Sequence, residues 1–162
     1  LARAKHLSTQ AKTDGIYYRH DAIGYNYRMT NLQAAVGVAQ LEKLEEFVAV
    51  KAENYRLYRE CGVELLPFAS RVRPNHWFYS HPAADRDGMI QRLAGERIQS
   101  RPIWELVHTQ IMYAGCQAYE IETAPKYYRQ IVNLPCSSNL SGEDVRRVAA
   151  VVRAGRGESI TC

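Results

Sequence analysis

Residues 23–47 read IGYNYRMTNLQAAVGVAQLEKLEEF and join an aromatic loop to the start of a long helix. Thr30 and Gln33 have the spacing of a capping box, in which the hydroxyl accepts a backbone N–H and the amide reaches back to the cap residue. Apolar residues then recur at steps of three and four, without a proline, as far as Gly62, a residue suited to a left-handed helix end. The pattern predicts a helix over residues 30–61.

A helix of this length would extend for roughly 45 Å at about 1.5 Å per residue. The core of a chain of 162 residues is too small to cover it. We therefore expect part of the helix to rest on a surface outside the small domain, with a simple overhang as the alternative.

The residues before the helix form a short helical tail, 1–7, and then a polar loop rich in tyrosine and glycine. Loops that carry large amphipathic side chains on irregular backbone bind other molecules more often than they pack. The loop that contains Tyr25 and Tyr27 is therefore a candidate binding segment.

Short strands and one-sided helices alternate beyond Gly62. Several of the connections are too short for parallel crossovers, which favours the α+β class, with a small, mostly antiparallel sheet and helices on one face. The predicted strands are 63–67, 77–80, 98–103 and 131–135. The predicted helices follow Asp85, cover 125–129 and begin at Ser141.

Composition and motifs exclude several classes of function. With 46% hydrophobic residues, no long apolar run and no leader-like start, the chain reads as cytoplasmic, with no membrane contact. The net charge of +4 comes from scattered arginines, which argues against nucleic-acid binding. The cysteines form no CxxC pair, and His76 and His81 alone make a weak metal site, so no metal is expected. No hydrolase, metalloprotease or nucleotide-binding motif is present.

Five segments, in order, resemble the DegT/DnrJ/EryC1/StrS family of pyridoxal-phosphate-dependent nucleotide-sugar aminotransferases. The resemblance is greatest to the branch that makes 4-amino sugars of the legionaminic-acid and bacillosamine type for bacterial surface polysaccharides. The segments are HLSTQAK (6–12), the stretch 23–47, NHWFYS (75–80), IQSRPIWELVHTQ (98–110) and NLPCSSNLSGEDVRRV (133–148).

The resemblance implies the C-terminal portion of a fold type I aminotransferase, whose cofactor is pyridoxal 5'-phosphate. The lysine that carries the cofactor in this family would lie before Leu1, and Lys5 and Lys12 have the wrong context to replace it. The implied divisions are the tail of the large domain (1–29), an interdomain helix (30–61), a small C-terminal domain (62–152) and a divergent tail (153–162).

The resemblance also implies a homodimer formed through the loop around Asn26 and the long helix. Asn26 matches the asparagine that reaches the cofactor phosphate of the neighbouring subunit. Tyr25 and Arg28 flank it as candidate substrate-side residues, although Arg28 is equally suited to anchoring the start of the helix. An amide donor suits a phosphate because it needs no charge of its own.

Three further residues are implied at the nucleotide-sugar site. Trp104 and His108 match the small-domain segment that borders this site, and Arg101 is a candidate for the pyrophosphate. The alternatives are core packing for Trp104 and a surface loop for His108. His76 departs from the family, which more often has an aromatic residue at this position.

Two functions follow as hypotheses. In the first, the chain is part of an aminotransferase that moves an amino group from an amino acid, glutamate by expectation, to a 4-keto nucleotide sugar, and the chain alone is inactive without the lysine. In the second, it is a free-standing, catalytically inactive module for binding or dimerisation. The sugar, the nucleotide and the choice between C3 and C4 amination stay open.

Overall fold

The computed structural model describes residues 1–14, 16 and 19–155 of the 162-residue chain. Residues 156–162, most of the predicted divergent tail, lie outside this part, as do Tyr17 and Tyr18 of the aromatic loop. The chain divides into two compact units, Leu1–Leu44 and Glu45–Cys162. The division falls inside the segment predicted as an interdomain helix.

The first unit contains two helices, α1 (Ala2–Ser8) and α2 (Asn31–Glu42). The predicted capping box at the start of α2 is confirmed. The Gln33 backbone N–H donates to the Thr30 hydroxyl at 3.2 Å, and the Thr30 N–H donates to Gln33 Oε1 at 2.9 Å. Helix α2 buries no residue, and four of its large apolar side chains are more than half exposed: Leu32, Val36, Val38 and Leu41.

The predicted helix over 30–61 is divided at one residue. Lys43 has φ −103° and ψ 1°, and its N–H bonds three residues back to Gln40, so a tighter turn ends α2 before α3 (Leu44–Glu60) begins. Helix α3 ends at Glu60, one residue before the predicted end, and Gly62 beyond it has the predicted left-handed conformation, with a φ of 78°. The N–H groups of Gly62 and Val63 donate to Arg59 and Tyr58, which forms a Schellman motif.

The second unit holds a three-stranded antiparallel sheet in the order β1-β3-β2, which confirms the α+β prediction. Two 3-10 turns, Val107–Thr109 and Ile111–Tyr113, lie in the long connection before α5. The elements after α3 are β1 (Tyr79–Pro82), α4 (Arg86–Gly95), β2 (Arg101–Pro102), α5 (Thr123–Gln130), β3 (Ile131–Leu134) and α6 (Gly142–Ala154).

The core of the second unit is formed by α3, α4, α6 and one face of the sheet. Helix α4 packs against α6, β2 and β3, and Leu93 in its last turn is fully buried. The Tyr79 hydroxyl donates to the Lys51 carbonyl at 2.7 Å, so this ring is buried without an unpaired polar group. The members of the core include Tyr55, Tyr58, Tyr79, Met89, Leu93, Val132, Leu134, Val145, Val148 and Val152.

The first predicted strand, 63–67, is extended but joins no ladder. Val63 and Leu65 are buried, as their alternation suggests, and the Leu66 N–H donates to Ser80 at 2.8 Å. The pairing does not continue into a ladder, and the segment stays outside the three-stranded sheet. The next strand begins at Tyr79 and not at Trp77, because the N–H of Trp77 is taken by a turn to Asn75 Oδ1 at 3.1 Å.

Replacing the cap residue of α6 should destabilise the second unit. The Asp144 N–H donates to the Ser141 hydroxyl at 3.1 Å, and the Ser141 N–H donates to the Asp144 carboxylate at 3.0 Å. We expect Ser141→Ala to lower the free energy of unfolding by about 1 kcal/mol, the usual cost of losing such a cap. Denaturant unfolding measures this change. Ser137→Ala, at an exposed serine outside the helix, should change it by less than about 0.5 kcal/mol; equal losses in the two variants would contradict the cap.

His76 lies against the rings of Tyr55 and Phe68, at centroid distances of 4.8 and 5.1 Å. Its Nδ1 is buried and has no hydrogen-bond partner among the described residues. Burial, and secondly the nearby Lys51 ammonium, lower the pKa of His76 below its ordinary value of 6.5. The folded protein therefore favours the neutral imidazole.

This pKa predicts how stability depends on pH. Because the folded state lowers the pKa, the unfolded chain binds the proton more readily, so stability is full above pH 6.5 and falls as the pH drops through the folded pKa. The free energy of unfolding, measured from pH 7.5 to 5, should decrease in the wild type and vary less in His76→Asn. Asparagine also tolerates the φ of 51° at this position. Identical slopes in the two proteins would refute the prediction.

Candidate functional site

In the first unit, the loop around Asn26 is held to the end of α1 by backbone hydrogen bonds. The Tyr25 N–H donates to Leu7 at 2.8 Å, and the Tyr27 N–H donates to Ser8 at 3.0 Å. Asn26 itself forms an antiparallel bridge with Thr9. The segment GYNYR is therefore an anchored edge with fixed backbone, although its side chains are exposed.

Close approach of two backbone segments explains the glycine of this loop. A Cβ at Gly24 would lie 2.4 Å from the backbone nitrogen of Ala11, which is shorter than any tolerated contact. Gln10 and Ala11 have left-handed φ values of 71° and 50°, so the facing segment is itself sharply bent. Only glycine at position 24 lets the two segments meet.

Alternation along the extended loop sorts its side chains into two groups. Tyr25 and Tyr27 are stacked, with centroids 5.3 Å apart and an interplanar angle of 9°. Asn26 and Arg28 point away together, since residues two apart share a side in extended backbone. The Arg28 Nε donates to Asn26 Oδ1 at 3.3 Å. The Asn26 Nδ2 amide makes no hydrogen bond within the described part of the chain, so this donor is available to a ligand.

A histidine and an aspartate fix the remainder of the loop. Asp21 accepts from His6 Nε2 at 2.6 Å, and this hydrogen bond is the main cause of the lowered pKa of Asp21. His20 Nδ1 lies 2.6 Å from the Gln10 carbonyl oxygen. Asp21 and His20 are exposed and His6 is partly buried, and their contacts serve to place the loop that carries Asn26.

The second unit contains an open groove of about 840 Å³ beside β2 and β3. Arg101 and Trp104 both line it, so two of the residues implied by the resemblance meet here. The Lys51 Nζ donates to the carbonyls of Cys136 at 2.6 Å and Trp77 at 3.3 Å, which ties together the segments after β3 and before β1. The other lining residues include Phe78, Gln99, Ser100, Ile103, Asn133 and Leu134.

An aromatic cluster forms one wall of this groove. Trp104 is 65% exposed, so core packing does not account for it. Its ring lies 5.0 Å from Phe78, edge to face, and 5.7 Å from Trp77, which is itself 63% exposed. Large flat rings held in contact yet open to solvent are suited to stacking against a planar ligand.

His108 does not line the groove of Arg101 and Trp104. It is half-buried in the turn Val107–Thr109 and borders a separate depression with Tyr113 and Tyr119. Its role at a nucleotide-sugar site stays a prediction.

The sequence analysis did not single out Phe78, Ser100 or Asn133 as groove residues. Trp77 and Phe78 were interpreted as strand residues, and Asn133 as part of a short strand. The available signal was the polar residue at the centre of the apolar run IVNL, 131–134, which is unusual in a buried strand.

Residues 1–14, 16 and 19–155 offer neither a metal cluster nor a membrane-spanning helix. No cluster of three or more histidine, cysteine, aspartate or glutamate side chains there is placed to hold a metal ion. None of the helices in the same residues is both long enough and apolar enough to cross a membrane.

The anchored Asn26 loop and the small antiparallel domain agree with the family match. The model of the DegT/DnrJ/EryC1/StrS aminotransferase family matches residues 2–153, and the chain belongs to this family. The resemblance inferred from the five segments is thereby confirmed.

Individual relatives give the same result. GDP-perosamine synthase of Escherichia coli O157:H7 is 34% identical over 88% of this chain and 41% of its own length. GDP-perosamine synthase of Vibrio cholerae is 32% identical over 91% of this chain and 43% of its own length. The crystal structure of the aminotransferase TlmJ from Streptoalloteichus hindustanus has the same fold, with a TM-score of 0.85 at 24% identity over 96% of this chain and 44% of that one. The chain thus spans about two fifths of the length of these relatives.

Proposed function

We propose that the chain is the C-terminal part of a pyridoxal-phosphate-dependent aminotransferase that transfers an amino group from an amino acid, glutamate by expectation, to a 4-keto nucleotide sugar. The observation that carries this proposal is the presentation of Asn26. Its amide oxygen accepts from Arg28 while its Nδ2 donor is left without a partner in the described residues, on an anchored and exposed loop.

The donors present at this loop fit a phosphate group. Asn26 keeps a free Nδ2 donor while its oxygen is occupied, and the terminal nitrogens of Arg28 make no hydrogen bond with the described residues. A neutral amide beside a guanidinium suits a dianion, since neither presents a lone pair toward it. In our proposal, these two side chains bind the cofactor phosphate of a partner subunit.

Pyridoxal phosphate, when bound, supplies the electron sink that allows an amino group to be moved between carbon atoms. The lysine that would carry it is proposed to precede Leu1 in the complete protein. The part played by this chain is binding and orientation, so the isolated chain should be inactive.

The groove of the second unit is proposed to bind part of the nucleotide sugar. Arg101 supplies a forked donor suited to a diphosphate, and Trp104 supplies a flat wall for a base or sugar. Two relatives are named GDP-perosamine synthase, which supports a GDP-linked sugar as the first substrate to try. A role in bacterial surface-polysaccharide synthesis, in the cytoplasm, is part of the same proposal.

A homodimer is also proposed, through the Asn26 loop and α2. Helix α2 buries none of its residues, and Leu32 and Leu41 are 77% and 69% exposed. This observation equally favours the second candidate, a free-standing and inactive dimerisation module. The intact mass of the natural protein separates the two: a species near 18.5 kDa favours the module, and one more than twice as heavy favours the enzyme.

The activity is tested with the product of the complete reading frame that contains these residues. Incubated with pyridoxal phosphate, glutamate and a GDP-linked 4-keto sugar, it should release 2-oxoglutarate and the aminated sugar in equal amounts. The 162-residue chain is the matched control and should release neither. A pyridoxyl group fixed by borohydride on Lys5 or Lys12 of the chain alone would contradict the account of the missing lysine.

A further inference from the structure

A row of polar residues crosses the sheet of the second unit. Ser80 on β1 and Arg101 on β2 are both register partners of Asn133 on the central strand β3. Register partners lie side by side on one face of a sheet. The residues that flank Asn133 in sequence, Val132 and Leu134, belong to the core, so the row occupies the opposite face, where Asn133 and Arg101 line the groove.

Asn133 is held in one orientation although it faces the groove. It is only 8% exposed, and its Oδ1 accepts from the Ser80 hydroxyl at 2.8 Å. The Nδ2 amide donates no hydrogen bond to any described residue. Because the amide oxygen is occupied and the nitrogen is not, the side chain presents a hydrogen-bond donor, and no acceptor, to a ligand in the groove.

Arg101 and Ser100 line the same groove, and the Ser100 hydroxyl oxygen is buried without a hydrogen-bond partner among the described residues. The floor of the groove therefore offers the Asn133 amide donor and the Arg101 guanidinium, which are register partners, beside the aromatic wall of Trp104. Such a set matches a ligand that has phosphoryl oxygens attached to a planar base.

We infer that Asn133 determines specificity in this groove by donating its Nδ2 amide to a phosphoryl oxygen of a nucleoside diphosphate, and that Ser80 is the positioning residue that orients it. The inference rests on the proposed function, since it names the residue that recognises the nucleotide part of the substrate. Arg101 supplies the positive charge that attracts the diphosphate. The Asn133 Nδ2 group can only donate, so the ligand oxygen that it meets must be a hydrogen-bond acceptor.

Tryptophan fluorescence tests this inference without any cofactor or turnover. The chain has two tryptophans, Trp77 and Trp104, which contact each other at the groove, so a bound base should quench their emission. The probes are GDP, guanosine and inorganic pyrophosphate, each titrated into the chain. GDP should quench with saturation, guanosine should bind more weakly, and pyrophosphate should compete with GDP while quenching little.

The decisive variant is Asn133→Asp. The aspartate has the same shape and still accepts from Ser80, but an oxygen replaces the Nδ2 donor, so GDP affinity should fall by more than about tenfold. Asn139→Asp makes the same change of charge at an exposed residue that does not line the groove, and should keep the wild-type affinity. Ser80→Ala should weaken GDP binding, and Ser80→Thr, which keeps the hydroxyl, should restore it.

The results distinguish this inference from the proposed function. Equal GDP affinity in Asn133→Asp and the wild type, with circular dichroism showing both folded, overturns the role of Asn133. Absence of any GDP response in the wild type also overturns it. In either case, formation of 2-oxoglutarate by the complete protein would leave the aminotransferase proposal intact. If the complete protein instead binds GDP normally but forms no 2-oxoglutarate, the aminotransferase proposal alone is refuted.

Discussion

Leu93→Ala is expected to destabilise the second unit by about 2–5 kcal/mol, the range measured when a buried leucine is cut back and a cavity remains. Leu93 is 0% exposed in the last turn of α4, a helix that packs against α6, β2 and β3. Water therefore cannot fill the space that the leucine side chain leaves, and the contacts of its neighbours are lost. Such a loss is a large part of the roughly 5–15 kcal/mol that holds a typical domain folded.

The measurement is the shift of the denaturant unfolding curve, followed by circular dichroism. Leu41→Ala is the matched control, because it makes the same truncation on α2 at a side chain that is 69% exposed. It should change the unfolding of the second unit by less than about 0.5 kcal/mol. A Leu93→Ala effect as small as that of Leu41→Ala would mean that α4 is not part of the core.

Asn26→Asp is expected to weaken the binding of pyridoxal phosphate to the complete protein by roughly 10- to 100-fold. The carboxylate still accepts from Arg28, so the loop should keep its geometry. It replaces the free Nδ2 donor with a charged oxygen that repels a phosphate. The readout is the dissociation constant, obtained from the absorbance of the bound cofactor, and needs no turnover.

The control for this variant is Asn31→Asp, which adds the same charge at the first residue of α2 and leaves the loop unchanged. It should bind the cofactor as the wild type does. Unchanged cofactor affinity in Asn26→Asp would remove Asn26 from the phosphate site and leave the family membership unaffected.

Local sequence signals predicted the ends of the helices well. The capping boxes at Thr30 and Ser141 and the left-handed Gly62 depend on residues within a few positions of each other, so a single sequence contains the whole cause. The turn at Lys43 was not predictable, because the apolar pattern continues through it and no glycine or proline marks the interruption.

The strands were less predictable, since pairing joins residues far apart in the chain. The runs 98–103 and 131–135 contain strands, but in the first only Arg101 and Pro102 form a ladder. The placement of Asn133 between Ser80 and Arg101 depends on the register of three strands, which no local pattern specifies.

The two candidate sites also differ in whether their residues are close together in the sequence. Asn26 could be selected as a candidate from the sequence because the motif GYNYR is contiguous and resembles a family segment; its role stays a prediction. The structure added what the motif does not contain, namely that Arg28 occupies the oxygen of the amide and leaves its nitrogen free. The floor of the groove was missed, because Ser80, Ser100 and Asn133 come from three separate segments.

We propose that the chemistry of this chain is completed by residues of the complete protein that precede it and by a second subunit. Complementation between two variants of the complete protein tests it most directly: Asn26→Asp is coexpressed with a variant that lacks the upstream cofactor lysine, and 2-oxoglutarate formation by the purified heterodimer is measured. The cofactor concentration is set to saturate the wild type but not Asn26→Asp, so that each homodimer is nearly inactive. If Asn26 acts across the dimer, one site of each heterodimer holds both an intact lysine and an intact asparagine, and activity should return to about half of the wild-type value. A heterodimer no more active than its two parents would contradict the account.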